Sequence, residues 1–275
     1  MAERTTVRRA LAMAGLAPID AQVLLAHVLA RDRAWLVAHA TDSLDGADVA
    51  AFERLARLRR DGEPVAYLTG RREFWGLDLA VDRSVLIPRP ETETLVECAL
   101  RKLPSESAVR VLDLGTGTGA IACAIARERP RATVVASDRS RTALEVARRN
   151  ARDLRLDGVQ FVEGDWLDAV ENAAAFDVIA SNPPYVAAND PHLAEGDVSR
   201  EPVAALVAGS DGLAALRRII AAAGAHLSPG GWLVVEHGHD QAAAVRGFLA
   251  GAGFAELESH RDLAGIPRVA AGRWP

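Results

Sequence analysis

Ser181-Asn182-Pro183-Pro184-Tyr185 follows an apolar run, Phe176-Asp177-Val178-Ile179-Ala180. The run predicts a short buried strand. Two consecutive prolines cannot continue a central strand, because neither has a backbone N–H. Proline also pushes the residue before it out of the helical region, so Asn182 and Pro183 are both expected to be extended. The result is a stiff corner at the carboxyl end of a strand. It offers the Asn182 amide, proline carbonyls and the Tyr185 ring. Such groups accept hydrogen bonds and stack on something flat. A planar –NH2 is their natural guest.

A second set surrounds Asp113-Leu114-Gly115-Thr116-Gly117-Thr118-Gly119-Ala120. Glycines let a backbone turn tightly and approach a ligand closely. Asp138 ends the next predicted strand, at about the spacing of an acid that binds ribose hydroxyls. Gly115-x-Gly117-x-x-Ala120 also satisfies a dinucleotide fingerprint, so a nicotinamide enzyme is one reading. The alternating glycines with an acid two residues before them fit S-adenosyl-L-methionine better. That cofactor has no pyrophosphate, and its sulfonium and ammonium groups favour nearby acids. Gly164-Asp165-Trp166 follows the third strand. Asp165 is placed to accept from an adenine amino group and Trp166 to lie along the ring; the plainer reading of Trp166 is core packing. Hydride transfer has no use for the Asn182 corner, whereas methyl transfer to a planar nitrogen does.

These residues need a scaffold that brings strand ends together. From residue 109 the pattern alternates strand and helix. Strands are expected at 109–114, 133–137, 159–162, 176–180, 232–236, 254–259 and 268–272. Helices are expected at 120–128, 141–154, 212–227 and 241–250. The alternation implies an α/β fold, a doubly wound and mostly parallel sheet. Ligands bind such sheets at the carboxyl ends of the strands, near the switch point.

Residues 1–72 read as a small helical domain, with helices ending at Gly15, over 18–30 and over 47–60, and a stop at Gly62-Glu63-Pro64. Residues 73–87 read as a hairpin or linker around Gly76, and 88–275 as the α/β domain. Pro90 suits a first helical turn, and Glu91 and Glu93 there complement the helix dipole or face a cationic ligand. Arg54, Arg57, Arg59, Arg60, Arg71 and Arg72 read as a solvated face or as a docking surface for an acidic or RNA-bearing partner.

Over 275 residues the net charge is −5, which argues against a protein living on a nucleic-acid backbone. Lys102 is the only lysine, so arginine clusters are weak signals. Cys98 and Cys123 form no metal spacing and no disulfide framework, consistent with a cytoplasmic location. No signal-peptide core or membrane-length apolar run is expected. His237 and His239 lack a third ligand and read as structural or solvated. Glu236 takes no assigned role.

The chain resembles the release factor glutamine methyltransferases (HemK type). The resemblance is carried by Gly62 through Gly70, Phe74-Trp75-Gly76-Leu77, Val85 through Glu93, Asp113 through Ala120, Asn182 through Tyr185, Glu201-Pro202, Ala205-Leu206 and Asp211-Gly212-Leu213. Gly265-Ile266-Pro267-Arg268 and Ala208-Gly209 depart from the family pattern locally. The resemblance implies a seven-stranded methyltransferase domain behind a helical domain that docks a class 1 peptide release factor. It implies methylation of the glutamine side-chain nitrogen (N5) in that factor's Gly-Gly-Gln loop, with S-adenosyl-L-homocysteine as product. Asp113, Gly115, Thr116, Gly117, Thr118, Gly119, Asp138, Asp165, Trp166 and Asn182 would contact the cofactor. Asn182, Pro183, Pro184 and Tyr185 would hold the glutamine, with Asn182, Pro183 and Tyr185 catalytic. A monomer with no metal, no membrane and no direct nucleic-acid contact is expected. The competing readings are an amino-directed nucleic-acid base methyltransferase, which must extrude its base, and a non-enzymatic cofactor-binding module.

Overall fold

The computed structural model describes residues 5–275; the first four residues of the helical segment expected over 1–72 lie outside the described residues. The chain divides into two compact units, Met1–Arg71 with Ala194–Arg200, and Arg72–Leu193 with Glu201–Pro275.

The first unit is helical. Its helices are α1 (Val7–Met13), α2 (Pro18–Leu29), α3 (Arg33–Ala38), α4 (Gly46–Arg60) and α5 (Val65–Thr69). Thr6 caps α1 and Asp32 caps α3, each accepting a backbone N–H three residues on. Neither α3 nor α5 is anticipated by periodicity, because each is too short to show two turns of an apolar stripe. Val7, Leu24, Leu25, Leu36 and Phe52 form the core. Within this unit Arg59 and Arg60 of the arginine cluster serve as structural ties. Arg59 joins Asp20 at 2.8 Å and Asp197 at 2.5 Å, and Arg60 donates to the Ala14 carbonyl at 2.5 Å.

The second unit begins with a hairpin of β1 (Arg71–Phe74) and β2 (Leu77–Ala80). Trp75 and Gly76 both have positive φ, at 53° and 65°, the twist that a two-residue hairpin turn needs. After α6 (Glu93–Lys102) come β3 (Arg110–Leu114), α7 (Ala120–Glu128), β4 (Thr133–Asp138), α8 (Arg141–Asp153), β5 (Val159–Glu163) and β6 (Phe176–Ser181). The chain closes with α9 (Ala214–Ala223), β7 (Leu227–Glu236), α10 (Ala242–Gly251), β8 (Ala255–Arg261) and β9 (Pro267–Arg273).

Among the described residues seven strands form one sheet in the order β5-β4-β3-β6-β7-β9-β8. Pairing is parallel from β5 to β7, and β9 runs antiparallel to both neighbours. Strand side chains alternate between two cores. Val111, Val134, Val178 and Val234 pack toward α6 and α7, while Leu112, Leu114, Ile179, Leu233 and Val235 pack toward α9 and α10. Both faces are covered, which is why these strands read as continuous apolar runs. The sheet is the mostly parallel, doubly wound one expected. Its order reverses between β3 and β6, so the ends of these two strands flank the switch point.

One stretch corrects the sequence expectation. The helix expected over 212–227 ends at Ala223, and β7 starts at Leu227 rather than Trp232. Leu227 pairs with Phe176, and the register then shifts before Val178 pairs with Trp232. Ser228-Pro229-Gly230-Gly231 reads locally as a loop, but the irregularity in the pairing absorbs it inside the strand.

Candidate active site

The glycine loop sits directly after β3. Gly115, Gly117 and Gly119 all have positive φ. Gly115 also needs to lack a side chain, because a Cβ there would come 3.2 Å from the Trp166 ring. Asp113 is fully buried under this loop. Its Oδ2 accepts the Thr116 hydroxyl at 2.6 Å and the Ala122 backbone N–H at 3.2 Å. Its Oδ1 has no partner. Burial pushes the Asp113 carboxyl up to about 7, and the two hydrogen bonds only partly oppose this.

The Thr116 and Thr118 side chains are buried, so the loop presents its backbone rather than its hydroxyls. The Thr118 carbonyl is held by Asn150 Nδ2 at 2.9 Å, and the same amide bonds both polar groups of the Ala80 backbone. Asp138, at the end of β4, accepts the Gly117 N–H at 2.9 Å and the Ser140 N–H at 2.8 Å. Each of its oxygens keeps a second lone pair. Trp166 is half-buried with φ 52° and packs on Gly115, so it walls the loop while touching the α9 core. Asp165 is engaged by Arg218 at 2.5 Å, which also holds Asp168 at 2.8 Å.

The proline corner follows β6, the neighbour of β3. Asn182 Nδ2 donates to the Thr92 hydroxyl at 3.0 Å. This settles which end of the amide is occupied and leaves Oδ1 available. Pro183 is buried and Pro184 half-buried. The Tyr185 hydroxyl donates to Glu236 Oε1 at 3.1 Å, and the Tyr185 carbonyl accepts Gln241 Nε2 at 2.9 Å. Burial first, then the adjacent Glu236 charge, pushes the Tyr185 phenol well above its ordinary range, so it stays protonated. A Cβ on Gly212 would lie 2.3 Å from the Tyr185 carbonyl oxygen, so only glycine fits at that position, where φ is also +72°.

The chain matches two families, one described as "Methyltransferase small domain" over residues 92–198 and one as "PrmC N-terminal domain" over residues 4–70. A release factor glutamine methyltransferase from Xylella fastidiosa strain Temecula1 is 53% identical over 257 residues, 94% of this chain and 93% of its own. A protein of the same name from Burkholderia pseudomallei is 53% identical over 262 residues, 94% and 92% of the two chains. The chain belongs to the release factor glutamine methyltransferase family. A methyltransferase crystal structure from Pyrococcus furiosus shares the fold, with TM-score 0.55 and 20% identity over 80% of this chain and 97% of that one.

In this family member the segment 85–93 is tied to Glu201. The buried Glu201 carboxylate accepts the Ile87 backbone N–H at 3.1 Å and pairs with the Arg89 guanidinium. Glu93 accepts the Trp75 backbone N–H at 2.9 Å, so it ties the start of α6 to the turn of the β1–β2 hairpin. His237 is fully buried, its Nδ1 faces the Gly238 carbonyl at 2.8 Å, and desolvation keeps it neutral. Type and spacing do not single out Asn150; Thr92 enters only within the 85–93 segment and Gln241 only through the family pattern, neither with a role. Each acts through a contact made across the fold, which no local pattern announces.

The buried Asp113 gives a stability prediction. Its carboxyl pKa is raised on folding, so its contribution is full below about 4 and is lost as pH rises toward 7. Asp113→Asn removes that loss while leaving an amide –NH2, with two N–H donors, at the unpartnered position. The stability of the variant relative to the parent should therefore grow by roughly 3–4 kcal/mol from pH 4 to pH 8. Urea unfolding at the two pH values measures this; a difference independent of pH contradicts it.

Proposed function

We propose that this protein transfers a methyl group from S-adenosyl-L-methionine to the side-chain amide nitrogen of a glutamine in a class 1 peptide release factor, in the Gly-Gly-Gln loop. The observation that carries the reading is the Asn182 amide, anchored through its nitrogen to Thr92 with Oδ1 free beside the glycine loop's strand. The family relationship supports it.

The residues present fit the cofactor. Three positive-φ glycines open the loop, Asp138 offers lone pairs for ribose hydroxyls, and Trp166 stands over Gly115 as a wall for the adenine. When bound, S-adenosyl-L-methionine supplies an electrophilic methyl group and a neutral thioether leaving group. This chain then has to place the nucleophile. An amide nitrogen is weakly nucleophilic because its lone pair is delocalised into the carbonyl. Asn182 Oδ1 and the Pro183 carbonyl accept the two N–H bonds of the glutamine and aim its nitrogen. Tyr185 packs on the amide plane. Alignment of this kind contributes on the order of 7–11 kcal/mol to barrier reduction. Both acceptors bind more strongly as positive charge develops on the nitrogen. The alkylated nitrogen then loses a proton to water, and no general base is needed.

The helical unit is the docking element for the release factor. Its groove of about 480 Å³, lined by Val28, Asp48, Arg54, Leu58, Tyr67 and Leu68 among others, offers apolar surface beside one basic and one acidic side chain.

Incubation with labelled S-adenosyl-L-methionine and either purified release factor or DNA tests the reading. Label on the glutamine of the release factor is expected. Label on DNA favours the base methyltransferase, and label on neither favours the binding module.

A further inference from the structure

We infer that Asn150 is a positioning residue for cofactor binding, pinning the far half of the glycine loop to the β1–β2 hairpin. The role rests on the cofactor reading given above and extends it to a hairpin outside the seven-stranded sheet.

A loop with glycine at 115, 117 and 119 has little stiffness of its own, because glycine loses more backbone freedom on ordering than any other residue. Other residues must hold it. Asp113 holds the Thr116 hydroxyl and Asp138 holds the Gly117 N–H. Both acids belong to strands of the sheet. The Thr118 carbonyl is held from elsewhere. Asn150, 1% exposed on α8, donates to it at 2.9 Å. Ala147 lies three residues earlier on the same face of α8. It backs Gly119, where a Cβ would come 3.1 Å from the Ala147 Cβ. One face of α8 therefore supports the far half of the loop.

The remaining bonds of Asn150 fix which end of its amide does this. Ala80, the last residue of β2, donates its N–H to Asn150 Oδ1 at 2.7 Å, and its carbonyl accepts Nδ2 at 3.0 Å. A backbone N–H can only donate and a carbonyl can only accept. The amide therefore has a single orientation, and its two N–H groups serve the Ala80 and Thr118 carbonyls. The loop is tied to the sheet at one end and, through this one side chain, to the hairpin at the other. Holding the loop in advance spares a ligand the ordering cost when it binds. Coupling of this kind is reciprocal. A cofactor that needs this loop conformation must in turn steady Asn150 and the Ala80 N–H.

Calorimetric binding of S-adenosyl-L-homocysteine tests this without methyl transfer. In Asn150→Ala the Kd should rise about 10-fold, the scale of one buried hydrogen bond lost from a site. At saturating S-adenosyl-L-methionine, kcat and the KM for release factor should stay near the parent's. Asn150→Asp keeps the acceptor for the Ala80 N–H and sets a second oxygen against the Thr118 carbonyl, so its Kd should rise at least as far. Amide hydrogen exchange on the parent needs no variant to fold. There S-adenosyl-L-homocysteine should slow exchange of the Ala80 N–H by a similar factor, relative to the other hairpin amides. In Asn150→Asp that selective slowing should vanish. A folded Asn150→Ala with parental Kd, a loss confined to melting temperature, or Ala80 exchange indifferent to the ligand overturns the inference alone. A parent that binds no S-adenosyl-L-homocysteine overturns the cofactor reading itself.

Discussion

Replacing Asn182 by alanine should cut kcat by roughly 100- to 1000-fold, the cost of removing one preorganised polar contact at a reacting centre. Cofactor affinity should change far less. The reason is that Asn182 does not shape the glycine loop; its nitrogen bonds Thr92, on the segment leading into α6. The scaffold around the corner should survive. Tyr185 keeps its bonds to Glu236 and Gln241, and Gly212 still admits the Tyr185 carbonyl. Single-turnover measurements with saturating cofactor isolate the chemical step, and calorimetry reports the cofactor Kd. Full turnover in the variant contradicts the assignment of Asn182. A large rise in cofactor Kd at parental kcat would move Asn182 from the substrate to the cofactor.

Asp138→Ala should give the opposite split. The cofactor Kd should rise by about 100- to 1000-fold, since hydrogen bonds to a charged acceptor contribute roughly 1.5–3 kcal/mol each. Two losses combine here. The ribose hydroxyls lose their acceptor, and the Gly117 and Ser140 N–H groups lose the carboxylate that shapes the loop. Asp138→Asn should fall between, because its single carbonyl oxygen can keep one of these bonds. At saturating cofactor kcat should recover toward the parent. Unchanged affinity by calorimetry rules out the ribose role.

The order of elements was legible in the chain because burial on both faces writes strands as apolar runs. Val111-Leu112, Val134-Val135, Val178-Ile179 and Leu233-Val234-Val235 are such runs. The hairpin was legible from Gly76. The start of β7 was not, because Ser228-Pro229-Gly230-Gly231 carries turn residues into a paired strand, and pairing with β6 outweighs local preference. The short helices α3 and α5 escaped for lack of length.

The candidate site divides the same way. Residue type and spacing alone determined that a glycine loop, an acid after the second strand of the sheet and an Asn-Pro-Pro-Tyr corner lie in one α/β domain. These are backbone constraints, set by neighbours in sequence. Only the tertiary structure decided that Asp113 is buried beneath the loop, that Asn150 holds the loop's carbonyl, and that the Thr92 hydroxyl accepts the Asn182 amide N–H. Those roles arise from hydrogen bonds between residues far apart in the chain. A polar group taken out of water must find a partner, and the fold, not the local sequence, determines which partner is within reach.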